Sequence, residues 1–133
     1  MERRRSQLRD IHVRALDALA AVWIATGDPL LAARDAEESI ALEPYRETGY
    51  QWLMLAQVAA SNRGEAVRAF RRCRETLARD LGVEPSPVTE AVFRDVLRGA
   101  SPATALQQGS ANVGDYPHRI GPMEVGDGPG SDL

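Results

Sequence analysis

The sequence predicts an all-α fold in which two helical hairpins stack on each other, followed by a capping helix and a disordered tail. Three observations support this prediction. Apolar residues recur at spacings of three and four along most of the first hundred residues, which is typical of amphipathic helices. No segment alternates between apolar and polar residues for long enough to suggest a strand. Glycine and proline separate the periodic segments, as expected at helix ends.

The first hairpin is predicted from residues 4–26 and from Pro29 to Glu43. Gly27 ends the first helix, and Asp28 and Pro29 stand where an N-cap and a first helical residue belong. The first helix has apolar residues on more than one face: Leu8, Ile11, Ala15, Leu19 and Val22 form one stripe, with Leu16, Trp23 and Ile24 beside it. The second helix is expected to bury Leu30, Ala33, Ala36 and Ile40.

The second hairpin is predicted from Arg46 to Ser61 and from about Asn62 to Leu81. The first of these helices is apolar nearly all round, so we expect neighbours on both sides of it. Asn62 and Glu65 have the spacing of a capping box at the start of the next helix. That helix should bury Ala66, Phe70, Cys73 and Leu77, and a fifth helix from Pro87 to about Arg98 should present Val88, Val92 and Val96.

The junction between helices four and five is the most explicit signal in the chain. Gly82 is placed to adopt the left-handed conformation just past a helix end, and Pro85 cannot continue the helix. Ser86 is a good N-cap, and Pro87 falls at the first helical position, where its missing N–H costs nothing. These four residues are therefore predicted to form a structural junction.

Composition divides the chain into a domain over residues 1–100 and a tail over residues 101–133. The first part carries fifteen arginines and fifteen acidic residues, so the net charge of −3 comes entirely from the tail. The tail is rich in glycine and proline and poor in apolar residues, so we expect it to be disordered. The single cysteine excludes an internal disulfide, and no run is long and apolar enough for a membrane span or a signal peptide. A cytoplasmic protein without membrane contact is expected.

The two hairpins are copies of one unit, offset by 34 residues. Leu16 corresponds to Tyr50, Leu19 to Leu53 and Ala32 to Ala66. Helix–turn–helix units with this period resemble tetratricopeptide repeats. In the second copy Met54, Ser61 and Ala78 depart from the consensus of that repeat. Each hairpin has an apolar face that it cannot bury alone, so the two units should stack.

The segments ERRR, ALDALAA, ALEPYRE, EAVRAFRRCRETLARDLGVEPSP and VFRDVL together are similar to the bacterial transcriptional activator domain of antibiotic-regulatory-type transcription regulators. The resemblance covers about Glu2 to Arg98 and implies a tetratricopeptide-like domain. In that family a winged-helix DNA-binding domain and further helices normally precede this region. We therefore expect a member truncated on its N-terminal side, a fragment, or the product of a mis-called start.

The resemblance implies a non-enzymatic protein–protein interaction module of a transcriptional regulator, which contacts a DNA-binding domain or protein or the transcription machinery. It also implies that the first helix of each hairpin lines a concave side. The candidate partner contacts are Arg14, Asp17, Ala21 and Ile24 in the first repeat and Thr48, Gln51, Leu55 and Val58 in the second. Helix five could instead cover some of these positions. Without the winged helix, sequence-specific DNA binding by this chain alone is not expected.

The sequence assembles no enzyme site, and we expect neither a cofactor nor a metal ion. Cys73 occupies a core position, and the two histidines, His12 and His118, lack metal-ligand spacing with it. Two other functions stay open: a free-standing tetratricopeptide-like adaptor unrelated to transcription, and a weak, sequence-blind nucleic-acid binder that uses the arginines of helix four. Because helix one is apolar on more than one face, we also predict that the isolated chain self-associates or is only marginally stable.

Overall fold

Five α-helices make up the computed structural model, which describes residues 2–99. They are α1 (Glu2–Thr26), α2 (Pro29–Leu42), α3 (Glu47–Ala59), α4 (Arg63–Leu81) and α5 (Pro87–Leu97). In the described part of the chain the secondary structure is helical, so the predicted all-α class is confirmed. The expected disordered tail at residues 101–133 lies outside the described residues.

The predicted helix boundaries agree with the structure to within two residues. Pro29 and Pro87 start their helices, where the absence of a backbone donor costs no hydrogen bond. Gly27 and Gly82 have φ angles of 90° and 69°, which place both in the left-handed region that glycine tolerates. At Gly82 the N–H groups of Gly82 and Val83 donate to the carbonyls of Ala78 and Leu77 at 3.1 and 3.3 Å. The predicted stop at Gly82 is therefore confirmed.

Only one of the predicted side-chain caps forms. Ser86 Oγ accepts a hydrogen bond from the Thr89 N–H at 3.4 Å, as an N-cap should. The Asp28 side chain makes no capping hydrogen bond, and its carboxylate lies 3.5 Å from the Thr26 hydroxyl instead. The predicted capping box at Asn62 and Glu65 is also wrong, because Asn62 donates to Gln57 while Glu65 pairs with Arg68.

Helix α3 lies at the centre of the molecule and contacts each of the other four described helices. Its side chains Leu53, Met54 and Leu55 are buried, which confirms the prediction that this helix is enclosed by neighbours. The predicted core residues of α4, from Ala66 to Leu77, are also buried. Trp23 and Trp52 are half-buried and pack against the edge of this core.

The N-terminal hairpin departs from the expected burial pattern at two places. The side of α1 that packs inward carries Val13, Leu16 and Ala20, whereas the predicted stripe from Leu8 to Val22 faces outward. In α2, the expected burial of Leu30 is wrong, because the residue is 67% exposed at the start of the helix. Both results arise because α1 and the first turn of α2 carry apolar residues on more sides than their neighbours cover.

Gly49 sets the close approach of α3 to α2. A Cβ atom at this position would lie 3.0 Å from Ile40 Cγ1 and 3.3 Å from Ser39 Oγ, which is closer than side chains normally pack. The absence of a side chain lets the two helices approach here. The stack thus joins the first hairpin to the second through a short helix–helix distance.

Candidate protein-interaction surfaces

The start of α5 is attached to α3 by a partly buried polar cluster. The Thr89 hydroxyl, which is fully buried, donates to Glu47 Oε1 at 2.6 Å and accepts from Gln51 Nε2 at 2.9 Å. The same Glu47 oxygen accepts from the Ser86 N–H at 2.9 Å. The Glu47 side chain therefore lies at the N-terminus of two helices, α3 and α5, where backbone donors favour negative charge. This cluster fixes α5 over the C-terminal repeat.

A second buried polar group connects α1 to the start of α3. The Asp17 carboxylate forms an ion pair with Arg46 and accepts a hydrogen bond from the Ser39 hydroxyl at 3.3 Å. Burial raises the pKa of Asp17 above its ordinary value, and the hydrogen bonds and charge of Arg46 oppose that rise. The Asp17 carboxylate thus connects α1 to α2 and to the N-cap of α3.

The two polar groups occupy equivalent positions in the repeat. Asp17 and Gln51 are 34 residues apart, which is the repeat offset. Each contacts a residue at the start of a later helix, α3 for Asp17 and α5 for Gln51. Position 17 contacts Arg46, the N-cap of α3, while position 51 contacts Thr89 in the first turn of α5. We infer that this repeat position holds neighbouring units together.

The eight candidate contacts from the sequence do not form one exposed surface. Arg14 is exposed and pairs with Asp10 at 3.2 Å. Leu55 is 4% exposed and belongs to the core, and Asp17 and Gln51 make the internal contacts just described. The remaining four are half-buried: Ala21, Ile24, Thr48 and Val58. Helix α5 packs on α3, so it covers part of the side on which the second group of candidates was expected.

The arginines of α4 are largely engaged within the molecule. Arg72 makes two hydrogen bonds to Glu37 of α2, at 2.8 and 3.1 Å, and lies 5.8 Å from the Tyr50 ring centre. Arg79 pairs with Asp80 at 2.8 Å. Arg63 donates to the carbonyls of Val96 and Leu97 and so binds the C-terminal end of α5. Arg72 and Arg63 therefore connect α4 to α2 and to α5.

The most exposed apolar surface in the described residues runs along α1. We call it the α1 outer stripe, and its members are Leu8, Ile11, Ala15, Leu19 and Val22. The four larger side chains are between 42% and 63% exposed, and Ala15 is exposed as well. Exposed apolar residues scattered singly are ordinary, but a continuous stripe on one helix face indicates an interaction surface.

The described residues offer little for chemistry at a small-molecule or metal site. Cys73 is fully buried, and burial raises the pKa of its thiol to about 12. Across residues 2–99 no group of three or more histidine, cysteine or acidic side chains is arranged to hold a metal ion. None of the helices found in this range is long and apolar enough to cross a membrane.

Comparison with protein families gives a match over residues 1–97, to the bacterial transcriptional activator domain. The chain belongs to the bacterial transcriptional activator domain family. The match spans all five helices, so the tetratricopeptide-like stack is the fold of this domain. It also confirms the resemblance drawn from the arginine-rich helix and the Gly82–Pro87 junction.

Two transcriptional regulatory proteins of Mycobacterium tuberculosis are similar to this activator domain. MoaR1 is 36% identical over 80 residues, which is 60% of this chain and 26% of the relative. EmbR is 34% identical over 86 residues, which is 65% of this chain and 22% of the relative. The chain thus spans about a quarter of the length of these relatives.

A solved structure of EmbR from the same organism, in complex with a low-affinity phosphopeptide, has a similar fold. It aligns with a TM-score of 0.69 at 29% identity, covering 81% of this chain and 29% of the EmbR chain. The relatives establish that this activator domain is of the kind found in transcriptional regulators.

Several structural side chains were not predicted from the sequence, in particular Glu47, Thr89, Arg46 and Arg63. One signal was available: Thr89 follows the N-cap Ser86 by three residues, where a side chain can contact the cap. The contacts of Glu47, Arg46 and Arg63 join residues between 29 and 42 positions apart, and no local pattern reveals them.

Proposed function

We propose that this chain is a non-enzymatic protein–protein interaction module of a bacterial transcriptional regulator, working in the cytoplasm. It contributes to regulation through contacts with a DNA-binding domain, another protein or the transcription machinery. The observation that carries the proposal is the family match over residues 1–97. The similar regulators are about four times longer than the matched region, which supports a module that acts beside other parts of a regulator.

The chemistry of the described side chains supports a binding role rather than catalysis. Cys73 is the strongest nucleophile that the described residues offer, yet its thiol is buried and protonated at neutral pH. The other buried polar side chains, such as Asp17 and Thr89, are engaged in contacts between helices. A protein partner is the class of ligand that such a helical stack accommodates.

The contact surface that we propose comprises the accessible members of the predicted concave side. Arg14 is exposed, and Ala21 and Ile24 are half-buried on the same side of α1, with Thr48 and Val58 on α3. Asp17, Gln51 and Leu55 would support this surface from beneath. The EmbR structure contains a phosphopeptide, and this chain covers 29% of the EmbR chain. For this chain we therefore propose a protein partner, without specifying phosphorylation.

A reporter assay tests the function directly. The chain is fused to a heterologous DNA-binding domain, and transcription is measured in a bacterial host from a promoter that carries the matching operator. We expect the fusion to change transcription relative to the DNA-binding domain alone. An Arg14→Glu, Ala21→Glu variant should lose the effect, because charge reversal and burial of a carboxylate oppose partner docking.

The matched control for the reporter assay is Glu75→Arg, a charge reversal at an exposed position of α4, which carries none of the proposed contacts. Circular dichroism melts of all fusions verify that the variants fold. If the wild-type fusion behaves like the DNA-binding domain alone, the proposed function is wrong. If Glu75→Arg reduces the effect as strongly as the double variant at Arg14 and Ala21, the proposed contact surface is wrong.

The two alternative functions have weaker support. An adaptor unrelated to transcription would have to belong to a family whose similar members are transcriptional regulatory proteins. A nucleic-acid binder that uses Arg63, Arg72 and Arg79 of α4 would have to release them from the carbonyls of α5, from Glu37 and from Asp80. No contact of the described residues favours either function.

A further inference from the structure

We propose that a second copy of this chain binds the α1 outer stripe, with the two α1 helices antiparallel about a two-fold axis at Ala15. This interaction is separate from the partner surface proposed above, which lies on another side of α1. The stripe is exposed over more than three helical turns, from Leu8 to Val22. Its composition and its register both favour a second copy over an unrelated partner.

The register of the stripe is symmetric. Leu8 and Val22 each lie seven residues from Ala15, and Ile11 and Leu19 each lie four residues from it. At about 100° per residue, all five therefore lie within about 40° of the direction in which Ala15 projects. Two antiparallel copies centred on Ala15 then place Leu8 of each copy against Val22 of the other, and Ile11 of each copy against Leu19 of the other. A self-complementary patch of this kind is what a two-fold interface requires.

The centre of the stripe allows a close approach. Ala15 and the neighbouring Ala18 are small and exposed, so two helix backbones can come near each other at the axis. No charged residue lies within the stripe, and His12 at its edge contacts Glu38 of α2 at 3.4 Å. Pairing therefore leaves no charge buried without a partner, which would be a large cost.

Charge complements the apolar pairing at the two ends of the stripe. The N-terminal end of α1 carries Arg3, Arg4 and Arg5, and its last turn contains no basic residue. In the antiparallel arrangement Arg4 of one copy lies opposite Thr26 of the other, at the C-terminal end of α1. The carbonyl groups there bear partial negative charge, and cations near them are stabilising. A parallel arrangement would instead bring the two arginine clusters together.

The size of the contact sets the expected strength. One helix from each copy should bury an area near or below about 1,200 Å², the lower end for stable complexes. We therefore expect a dimer that dissociates on dilution, in the micromolar range or weaker. Light scattering and sedimentation of the full chain from about 1 µM to about 1 mM should show the mass rising from one copy to two.

Substitutions separate the stripe from other surfaces. Leu8→Glu with Ile11→Glu should shift the dimerisation midpoint to at least tenfold higher concentration, and circular dichroism should be unchanged because both residues are solvent-exposed. The control is Val83→Glu, which makes another exposed apolar residue acidic in the linker before α5; Val83 is 47% exposed, against 60% for Leu8 and 63% for Ile11. A dimer that survives the double substitution, or one that Val83→Glu disrupts equally, overturns the proposal.

Engineered cysteines decide the orientation, because Cys73 is buried and leaves the new thiols as the accessible ones. Ala15→Cys should cross-link to itself under oxidation, and a mixture of Leu8→Cys with Val22→Cys should give a mixed dimer. Leu8→Cys alone should not cross-link, since its two copies would be about 21 Å apart along the helices. Self-cross-linking of Leu8→Cys at the rate of the mixture, or a monomer at every concentration, overturns the proposal.

Discussion

At the residue scale, Asp17 is a buried carboxylate whose burial and pairing have opposite effects on its protonation. Its folded-state pKa lies above the ordinary value of 3.8, and desolvation is the largest cause. Above that value the unfolded state has already lost the proton that the folded state retains. The contribution of this group to the free energy of unfolding therefore falls as the pH rises from about 3.8 through the folded-state pKa.

The first prediction follows for Asp17→Asn. The amide can still accept the Ser39 hydrogen bond but does not titrate, so this variant should lack that part of the pH dependence. The free energy of unfolding of Asp17→Asn, relative to the wild type, should rise with pH above about 4. Urea denaturation at several pH values between about 4 and 7 measures the difference. Asp10→Asn is the control, because that carboxylate is 52% exposed, and an identical slope in both variants would contradict the assignment.

The second prediction concerns Cys73. Because its thiol is fully buried and its pKa is about 12, the native protein should react with a thiol reagent only through unfolding. The labelling rate should rise with urea in parallel with the unfolded fraction. Ala41→Cys, which places a thiol at an exposed position of α2, is the matched control and should label at once. Immediate labelling of Cys73 in native buffer would show that α4 opens locally.

At the element scale, α5 is held at both of its ends by side chains from the second repeat. Glu47 and Gln51 contact its first turn, and Arg63 binds its last carbonyls. A helix of 11 residues is too short to be stable alone in water. Its position therefore depends on these contacts together with the packing of Val92 and Val96.

The third prediction is that Thr89→Val destabilises the domain by about 1–3 kcal/mol, the cost of leaving buried polar groups without a partner. Valine has nearly the same shape, so packing is preserved while Glu47 and Gln51 lose the hydroxyl. Thr26→Val at the exposed end of α1 is the control and should change stability by about 0.5 kcal/mol or less. Equal urea midpoints for the two variants would show that the Thr89 cluster contributes nothing.

The elements differ in how far the sequence predicts them. Helix ends and the Gly82–Pro87 junction are encoded in consecutive residues, so the sequence located them to within two residues. The buried side of α1 was not predictable, because both of its faces are apolar and the choice depends on which neighbours are present. The polar contacts between repeats were missed for a related reason, since Asp17 and Arg46 meet only after the helices have packed.

The candidate site was likewise only partly predictable from the sequence. The sequence and the resemblance identified the family, which the comparison confirms. The eight partner-contact residues were inferred from the repeat pattern, and that pattern contains no information on where α5 lies. Leu55 and Gln51 therefore occupy internal positions, while the exposure of Leu8 and Ile11 became visible only in the folded chain.

At the scale of the whole molecule, charge is distributed so that attraction to nucleic acid is weak. Among the arginines of α4, Arg72 and Arg79 are ion-paired and Arg63 binds carbonyls of α5, and the chain carries a net charge of −3. The fourth prediction is that the chain alone binds a promoter of a longer family member and a scrambled duplex with affinities that differ by less than about tenfold, or 1.4 kcal/mol.

A titration at physiological salt, repeated at higher salt, measures this prediction. Any binding should be weak, insensitive to sequence and abolished by added salt, because phosphate contacts position a protein without specifying a sequence. A preference above tenfold for the promoter would contradict it. The arginines of α4 would then be the first to replace, beginning with Arg71 and Arg74.

The central position of α3 determines the order in which parts of the domain unfold locally. In the described residues α1 and α5 do not touch, so either end can detach while α3 keeps its remaining neighbours. Amide protons of α3 should then exchange with solvent most slowly, at the rate of global unfolding, and those of α1 and α5 sooner. Native-state hydrogen exchange measures this order. The domain would thus fray from its two ends toward a persistent middle, and the two surfaces proposed for binding lie partly on one of the segments that loosen first.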